Sequence, residues 1–252
     1  PGCLTIILPK QPSVPDSVTA GLETVAVRMP SDPLALELIR KAGAPIVAPS
    51  ANRSGRPSAT TWQDVLKDLD GRIDGVVCGP PTSVGLESTV VDATGNWPHV
   101  LRHGGIPEAD IAQVALEIGL SKPLQDTPQK ELSHRSPGTK HRHYQPSAQV
   151  VLVNDFNDFL GRSASQRGLG QRVGWIGLSG GQTSGIRGQV KPIEMAEGKL
   201  FFCDRLEQYA SHLYRFFRDC DAEGIRTIYC DRVPNDGIGR AINDRIQRAS
   251  DS

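Results

Sequence analysis

Short β-branched or apolar runs that stop at proline or glycine, each followed by a segment able to start a helix, recur along this chain. That alternation is its strongest constraint on fold. The sharpest instance is Ala44-Pro-Ile-Val-Ala-Pro-Ser-Ala-Asn-Arg-Ser-Gly-Arg-Pro-Ser58. Pro45 to Ala48 reads as a buried strand that breaks at Pro49 into a loop of small polar residues. Thr60 is the expected cap of the next helix, with Gln63 reaching back in a capping box. A strand, a polar loop and a helix start present backbone N–H groups and short polar side chains to an anion. Ser50 and Asn52 are therefore the expected centre of a nucleotide-phosphate site.

Elsewhere the pattern predicts strands at Thr5–Leu8, Thr24–Arg28, Asp74–Cys78, Ser88–Asp92 and His99–Arg102. A helix capped by Asp32 or Ser31, with Pro33 at its first position, should bury Leu34, Leu36, Leu38 and Ile39 and stop at Gly43. Another runs from about Thr61 to Leu69. A third opens at Pro107 with Ile111, Val114, Ala115 and Ile118 on one side. Later strands are expected at Gln149–Val153, Arg172–Leu178 and Thr227–Cys230. Helices should begin near Asp155 and cover Lys199–Glu223 and Gly239–Ala249, with Ile242 and Ile246 inward. Strands alternating with helices in this second half imply a small parallel sheet with crossover helices.

Composition restricts the function classes. The 252 residues balance 28 basic against 28 acidic side chains, so no global field favours nucleic acid or membrane. No apolar run approaches the length of a membrane span, and no signal peptide is visible at the start. Five widely spaced cysteines without a C-x-x-C fit reduced thiols in a cytoplasmic protein. Ser121 to Pro146 is polar and rich in proline, glycine and basic residues, so it reads as a linker. The expected division is residues 1–122, a linker at 123–147, and a second α/β domain at 148–252. The chain starts at Pro1 already entering a strand, which leads us to expect missing sequence upstream.

Three further features could carry chemistry. In Gly85-Leu-Glu-Ser-Thr-Val-Val-Asp92, Ser88 and Thr89 enter a strand from a glycine-containing loop, so a hydroxyl can face a cleft; ordinary strand residues are the bland alternative. Arg28 and Arg102 each end a predicted strand, where open α/β sheets gather ligands, and guanidinium suits carboxylate or phosphate. A solvated surface arginine is the competing account. The linker carries His134, His141 and His143 without a carboxylate or cysteine at matching spacing, which argues against a metal set. It is either a solvated segment or a lid that lays Arg142, His143 and Tyr144 over an anion. The chain contains no G-x-S-x-G, H-E-x-x-H or Walker loop, nor G-x-G-x-x-G after a strand. An enzyme of this kind works by positioning and charge stabilisation without a covalent nucleophile.

The motif set resembles the threonylcarbamoyl-AMP synthase (YrdC-like) family. It comprises Pro1-Gly-x-x-Thr5, Val27-Arg28-x-Pro30, Pro49-Ser-Ala-Asn-x-Ser-Gly55 with Pro57-Ser58, Gly85-Leu-Glu-Ser-Thr-Val-Val-Asp92 and Leu101-Arg102-x-Gly104. Ser136-Pro-Gly-x-Lys-x-x-His-Tyr-x-Pro146 and Gly237-Ile-Gly-Arg-Ala-Ile-Asn-Asp-Arg245 resemble its long, two-domain form. The resemblance implies an α/β fold: a YrdC-like twisted open sheet, incomplete at its N-terminus, plus a small Rossmann-like parallel domain. It implies synthesis of threonylcarbamoyl-AMP and pyrophosphate from L-threonine, bicarbonate and ATP with Mg2+, feeding a downstream transferase that modifies tRNA. On that resemblance Ser50, Asn52, Arg102, His143 and Tyr144 contact ATP or AMP, and Arg28 and Ser88 contact threonine. No covalent catalytic residue and no metal-binding side chain are implied.

The departures are Asp32 where the family often has histidine, His103 where proline is usual, and variable Thr139 and His141. The family's lysine–x–arginine phosphate clamp would precede Pro1, so we expect this chain alone to be feeble or inactive. Two rivals stand beside this reading. One is a non-catalytic adenylate- or RNA-binding module, which zero net charge disfavours for RNA. The other is the carbamoyltransferase branch of the same fold, disfavoured by the missing C-x-x-C.

Overall fold

The computed structural model describes residues 1–122, 145–180, 193–195 and 198–251. They fall into two compact units that interleave along the chain. The first contains Pro1–Pro49, Glu87–His141 and Asp236–Ala241; the second contains Ser50–Leu86, Arg142–Asn235 and Ile242–Ser252. Among the described residues no helix is long and apolar enough to cross a membrane.

The first unit is built on a four-stranded mixed sheet of order β2-β1-β3-β4. Its strands are β1 (Leu4–Pro9), β2 (Thr24–Arg28), β3 (Thr89–Asp92) and β4 (His99–Arg102). β1 pairs antiparallel with β2 and parallel with β3, and β3 pairs antiparallel with β4. A short helix, α1 (Asp16–Thr19), joins β1 to β2. Ile7, Val90, Val91 and Val100 are buried, and β3, buried along its whole length, packs on both faces of the sheet. Helix α2 (Pro33–Ala42) starts as the sequence requires: Asp32 Oδ1 accepts from the Ala35 amide at 2.9 Å, Pro33 opens the helix, and Gly43 closes it with φ 63°.

The burial expected of two helices is corrected. No residue of α2 is buried, and Leu34 and Leu38 are more than half exposed. In α4 (Glu108–Glu117) only Ala115 is buried, while Val114 and Ile118 face solvent. Periodicity marks a helix face as apolar, but it does not supply the element that covers it.

Two predicted strands are absent. Residues 45–48 and 74–78 are irregular, and Val47 and Val77 are 68% and 69% exposed. A strand exists only as a pairing, and neither segment has a ladder partner among the described residues.

The second unit holds a five-stranded sheet of order β5-β9-β6-β8-β7. These strands are β5 (Gln149–Val153), β6 (Val173–Leu178), β7 (Ile193–Met195), β8 (Gly198–Cys203) and β9 (Thr227–Asp231). The pairs β5–β9, β9–β6 and β6–β8 are parallel, and only β7 runs antiparallel. The parallel α/β architecture expected for this half is therefore present. Helix α3 (Trp62–Leu69) also belongs to this unit, together with α5 (Phe156–Gly168), α6 (Leu206–Ala222) and part of α7 (Gly237–Ser250).

The helix expected over Lys199–Glu223 is shorter. Gly198–Cys203 is strand β8, because Leu200, Phe201 and Cys203 are buried in register against β6. From Leu206 the helical period holds, and Tyr209, Leu213, Phe216, Phe217 and Cys220 are all buried. Ile242 and Ile246 of α7 are fully buried, as their spacing requires. An aromatic cluster fills the other side of the sheet: Phe156 lies edge-on to Trp175 at 4.8 Å, and Phe159 meets Tyr229 at 5.3 Å.

One acid sits inside this core. Asp231, at the end of the interior strand β9, is 4% exposed, and its Oδ1 accepts from Trp175 Nε1 at 2.8 Å. Burial pushes its carboxyl up to about 7 against the opposing pull of the Trp175 and Leu178 N–H groups. The unfolded chain loses this proton near the ordinary aspartate value. The folded chain keeps it until about pH 7. Its contribution to stability is thus complete below the unfolded value and is lost as pH rises to about 7. Asp231→Asn should remove that slope. Urea unfolding across pH 4 to 7 should show the parent losing up to about 4 kcal/mol relative to the variant.

Candidate functional site: a polar sheet face and a pinned polar loop

In the first unit, strand register sets the geometry. Thr5 of β1 faces Arg28 of β2 on one side and Val90 of β3 on the other, and Val90 faces Arg102 of β4. Residues in one cross-strand row share a sheet face. Arg28 and Arg102 therefore stand on the same face, three strand steps or about 14 Å apart. Between them the Thr5 and Ser88 hydroxyls hydrogen-bond at 2.6 Å. Arg102 donates from Nε to the Ser88 carbonyl at 3.1 Å and from Nη2 to Ser88 Oγ at 3.2 Å. Arg28 is exposed and donates from Nε to the Gly2 carbonyl at 3.0 Å. Two guanidinium groups flanking a pair of buried hydroxyls make a face suited to carboxylate and phosphate oxygens.

Backbone packing holds this face in place. Thr89 Oγ1 donates to the Ile106 carbonyl at 2.8 Å and accepts the Ile106 amide at 2.9 Å. The strand entry at Ser88 is thereby clipped to the 104–106 return. Gly104 makes the clip possible, because a Cβ there would lie 2.3 Å from the Thr89 amide nitrogen and 2.4 Å from the Glu87 carbonyl oxygen.

The other predicted residues fall in the second unit or beyond the description. Ser50 is exposed in an irregular loop. Asn52 closes a turn, donating from Nδ2 to the carbonyls of Arg53 at 2.9 Å and Arg56 at 3.2 Å. Its Oδ1 is buried and has no hydrogen-bond partner among the described residues. The structure thus brings Arg28, Ser88 and Arg102 onto one face, and Ser50 and Asn52 into one loop. His143 and Tyr144 lie outside the described residues.

The cap of the following helix is corrected. Thr61, not Thr60, caps α3: its Oγ1 accepts the Asp64 amide at 3.2 Å and donates to Asp64 Oδ2 at 2.8 Å. Thr60 is buried with its carbonyl accepting from the Thr82 amide, and Gln63 is exposed.

Three residues escaped assignment from sequence. Thr5 reads as an ordinary strand residue until its hydroxyl meets Ser88. Asp68 has a fully buried carboxylate, which accepts from the Arg53 amide at 3.2 Å, Arg56 Nη1 at 2.8 Å and Arg218 Nη2 at 2.7 Å. Burial pushes this carboxyl up, but Arg218 and Arg56 outweigh it and hold it below the usual carboxylate value. Arg218 Nη2 also donates to the Pro57 carbonyl. The available signal was Asp64 and Asp68 one helical turn apart on one side of α3, since an acid on a buried helix face requires a partner.

Gly104→Ala should displace the 87–89 entry and destabilise the protein by about 1–3 kcal/mol. The shift is measurable as a lowered urea midpoint with unchanged slope.

Comparison with known proteins places these features in a family. The family model described as telomere recombination, covering the Sua5, YciO and YrdC group, matches residues 1–104. The model of the threonylcarbamoyl-AMP synthase C-terminal domain matches residues 106–251. The chain is 40% identical to the threonylcarbamoyl-AMP synthase of Bacillus subtilis over 256 aligned positions, covering 99% of this chain and 70% of that protein. It is 38% identical to the Pyrococcus abyssi enzyme of the same name, covering 99% and 71%. The crystal structure of P. abyssi Sua5 complexed with L-threonine superposes with a TM-score of 0.80 at 35% identity, over 100% of this chain and 71% of that one. With both domain models matched in order and relatives this similar along nearly its whole length, the chain belongs to the threonylcarbamoyl-AMP synthase family.

Proposed function

We propose that this chain serves the synthesis of threonylcarbamoyl-AMP from L-threonine, bicarbonate and ATP, a nucleotidyl transfer that releases pyrophosphate. The observation that carries the reading is the Thr5–Ser88–Arg102 cluster on the sheet face shared with Arg28. The relatives named for this activity, and the solved relative complexed with L-threonine, support it.

In this reading the amine of threonine is first carboxylated by bicarbonate with loss of water. An oxygen of the resulting carbamate then attacks the α-phosphorus of ATP. The new O–P bond forms as the bond to the pyrophosphate oxygen breaks. No protein nucleophile is needed, so the side chains position and neutralise. Arg28 and Ser88 hold the threonine side. Arg102, already anchored on Ser88, turns its charge to the transferred phosphate, and Ser50 and Asn52 hold the nucleotide. His143 and Tyr144 are proposed as nucleotide contacts from the linker.

Mg2+ enters as the ATP complex and is written here as part of the substrate. Among the described residues no group of three His, Cys, Asp or Glu could cage a metal, whereas hydroxyls and arginines suit the phosphates that carry it. The product is an activated carbamoyl group for a tRNA-modifying transferase, and the five free thiols fit a reducing, cytoplasmic setting.

Pyrophosphate release that requires both threonine and bicarbonate tests the reading; release that ignores either substrate overturns it. Arg102→Ala should lower kcat/KM by a factor of about 10²–10³. Ser88→Ala should raise the KM for threonine more than that for ATP. Equal rises in both would move Ser88 out of the threonine side.

A further inference from the structure

We infer that Asp68 and Arg218 are positioning residues for the nucleotide loop, so that helix α6 of the C-terminal α/β sheet sets the affinity for ATP. The inference rests on the reading of Ser50 and Asn52 as nucleotide contacts.

The turn from Asn52 to Pro57 is held from two sides. On one, the Asn52 amide bonds the Arg53 and Arg56 carbonyls. On the other, the Arg53 amide and the Arg56 guanidinium both donate to Asp68, and Arg218 donates to the Pro57 carbonyl. Asp68 and Arg218 thus touch the turn directly as well as each other. Their side chains are 0% and 10% exposed, and the partners are 150 residues apart in sequence. Buried pairs of this kind add little net stability over apolar packing, yet they select one arrangement, because any other leaves a buried charge unpaired. Arg218 Nε has no described partner, which leaves the guanidinium committed to Asp68 and Pro57.

The far end of the same segment is fixed by the same helix. Gly85 has φ +75° and lies so close to α6 that a Cβ would sit 2.5 Å from Ser211 Cα. Ser211 and Arg218 are about two turns apart, on one side of α6. One helix face therefore sets both the start and the finish of the segment that carries Ser50 and Asn52. The turn also receives the chain beyond residue 144, since the Gln145 amide donates to the Gly55 carbonyl at 3.2 Å.

The test is isothermal titration of the purified protein with a non-hydrolysable ATP analogue and, separately, with L-threonine. Arg218→Met and Asp68→Asn should each weaken the analogue about tenfold or more and leave threonine within about twofold. Arg218→Lys should restore only part of the affinity, because one ammonium cannot reproduce the fork that meets Asp68 and Pro57. Asn52→Ala is measured alongside. If it leaves analogue binding unchanged, the reading of the loop itself fails. If it weakens binding while Arg218→Met and Asp68→Asn bind like the parent, the positioning role alone is overturned. Equal loss of both ligands, or loss of cooperative unfolding in Arg218→Met, Asp68→Asn and Arg218→Lys alike, assigns the pair a purely structural role and also overturns it.

Discussion

The carboxylate of Asp68, buried between a polar turn and a helix distant in sequence, is the interaction on which the second unit's candidate loop depends. A lone ionised carboxylate in such a place would cost several kcal/mol, and it would be relieved by protonation or by exposure. Neither happens, because Arg56 and Arg218 converge on it and keep it ionised. The chain must therefore bring α3 and α6 together before the loop between Pro49 and Thr61 has a defined shape. Local propensity contributes little here, since the segment holds prolines, glycine and short polar residues that favour turns generally.

The first unit is organised by register instead of charge. β1 lies between β2 and β3, so one residue, Thr5, faces Arg28 on one side and Val90 on the other. A shift of one position would turn Thr5 to the opposite face and separate its hydroxyl from Ser88. Ile7, two residues along β1 from Thr5, is buried on the same face, and Val91 and Val100 are buried as a facing pair, so a shift of one position would displace all three from their packing. Core packing thus sets the register, and with it the spacing of the polar groups. The clip between Thr89 and Ile106, with Gly104 lying on the backbone beneath it, completes the support.

Much of this was legible in the sequence where the signal is local. The Asp32 cap, Pro33 at the first helical turn and Gly43 in the left-handed region follow from side-chain and backbone chemistry within a few residues. Ser88, Arg102 and Arg28 were identified from strand ends, and the sheet places them on one face. The failures share a different cause. The runs at 45–48 and 74–78 have strand composition but no ladder partner among the described residues. The stretch 199–203 has apolar residues that fit a helix or a strand, and pairing with β6 decided for the strand. Thr60 and Thr61 are equivalent as caps in sequence, and the bond from Thr82 to the Thr60 carbonyl separated them.

The sequence by itself determined the alternation of strands and helices, the family motifs, and the residue types able to meet carboxylate and phosphate. These depend on contacts within one turn or one strand, which neighbouring residues specify. Tertiary structure decided the rest. It set which apolar faces are covered, that Thr5 completes the Ser88–Arg102 cluster, and that Arg218 reaches back across 150 residues to Asp68. The physical reason is common to all three. Burial and ion pairing depend on which segments meet in space, and no local pattern around Thr5, Asp68 or Arg218 encodes its partner.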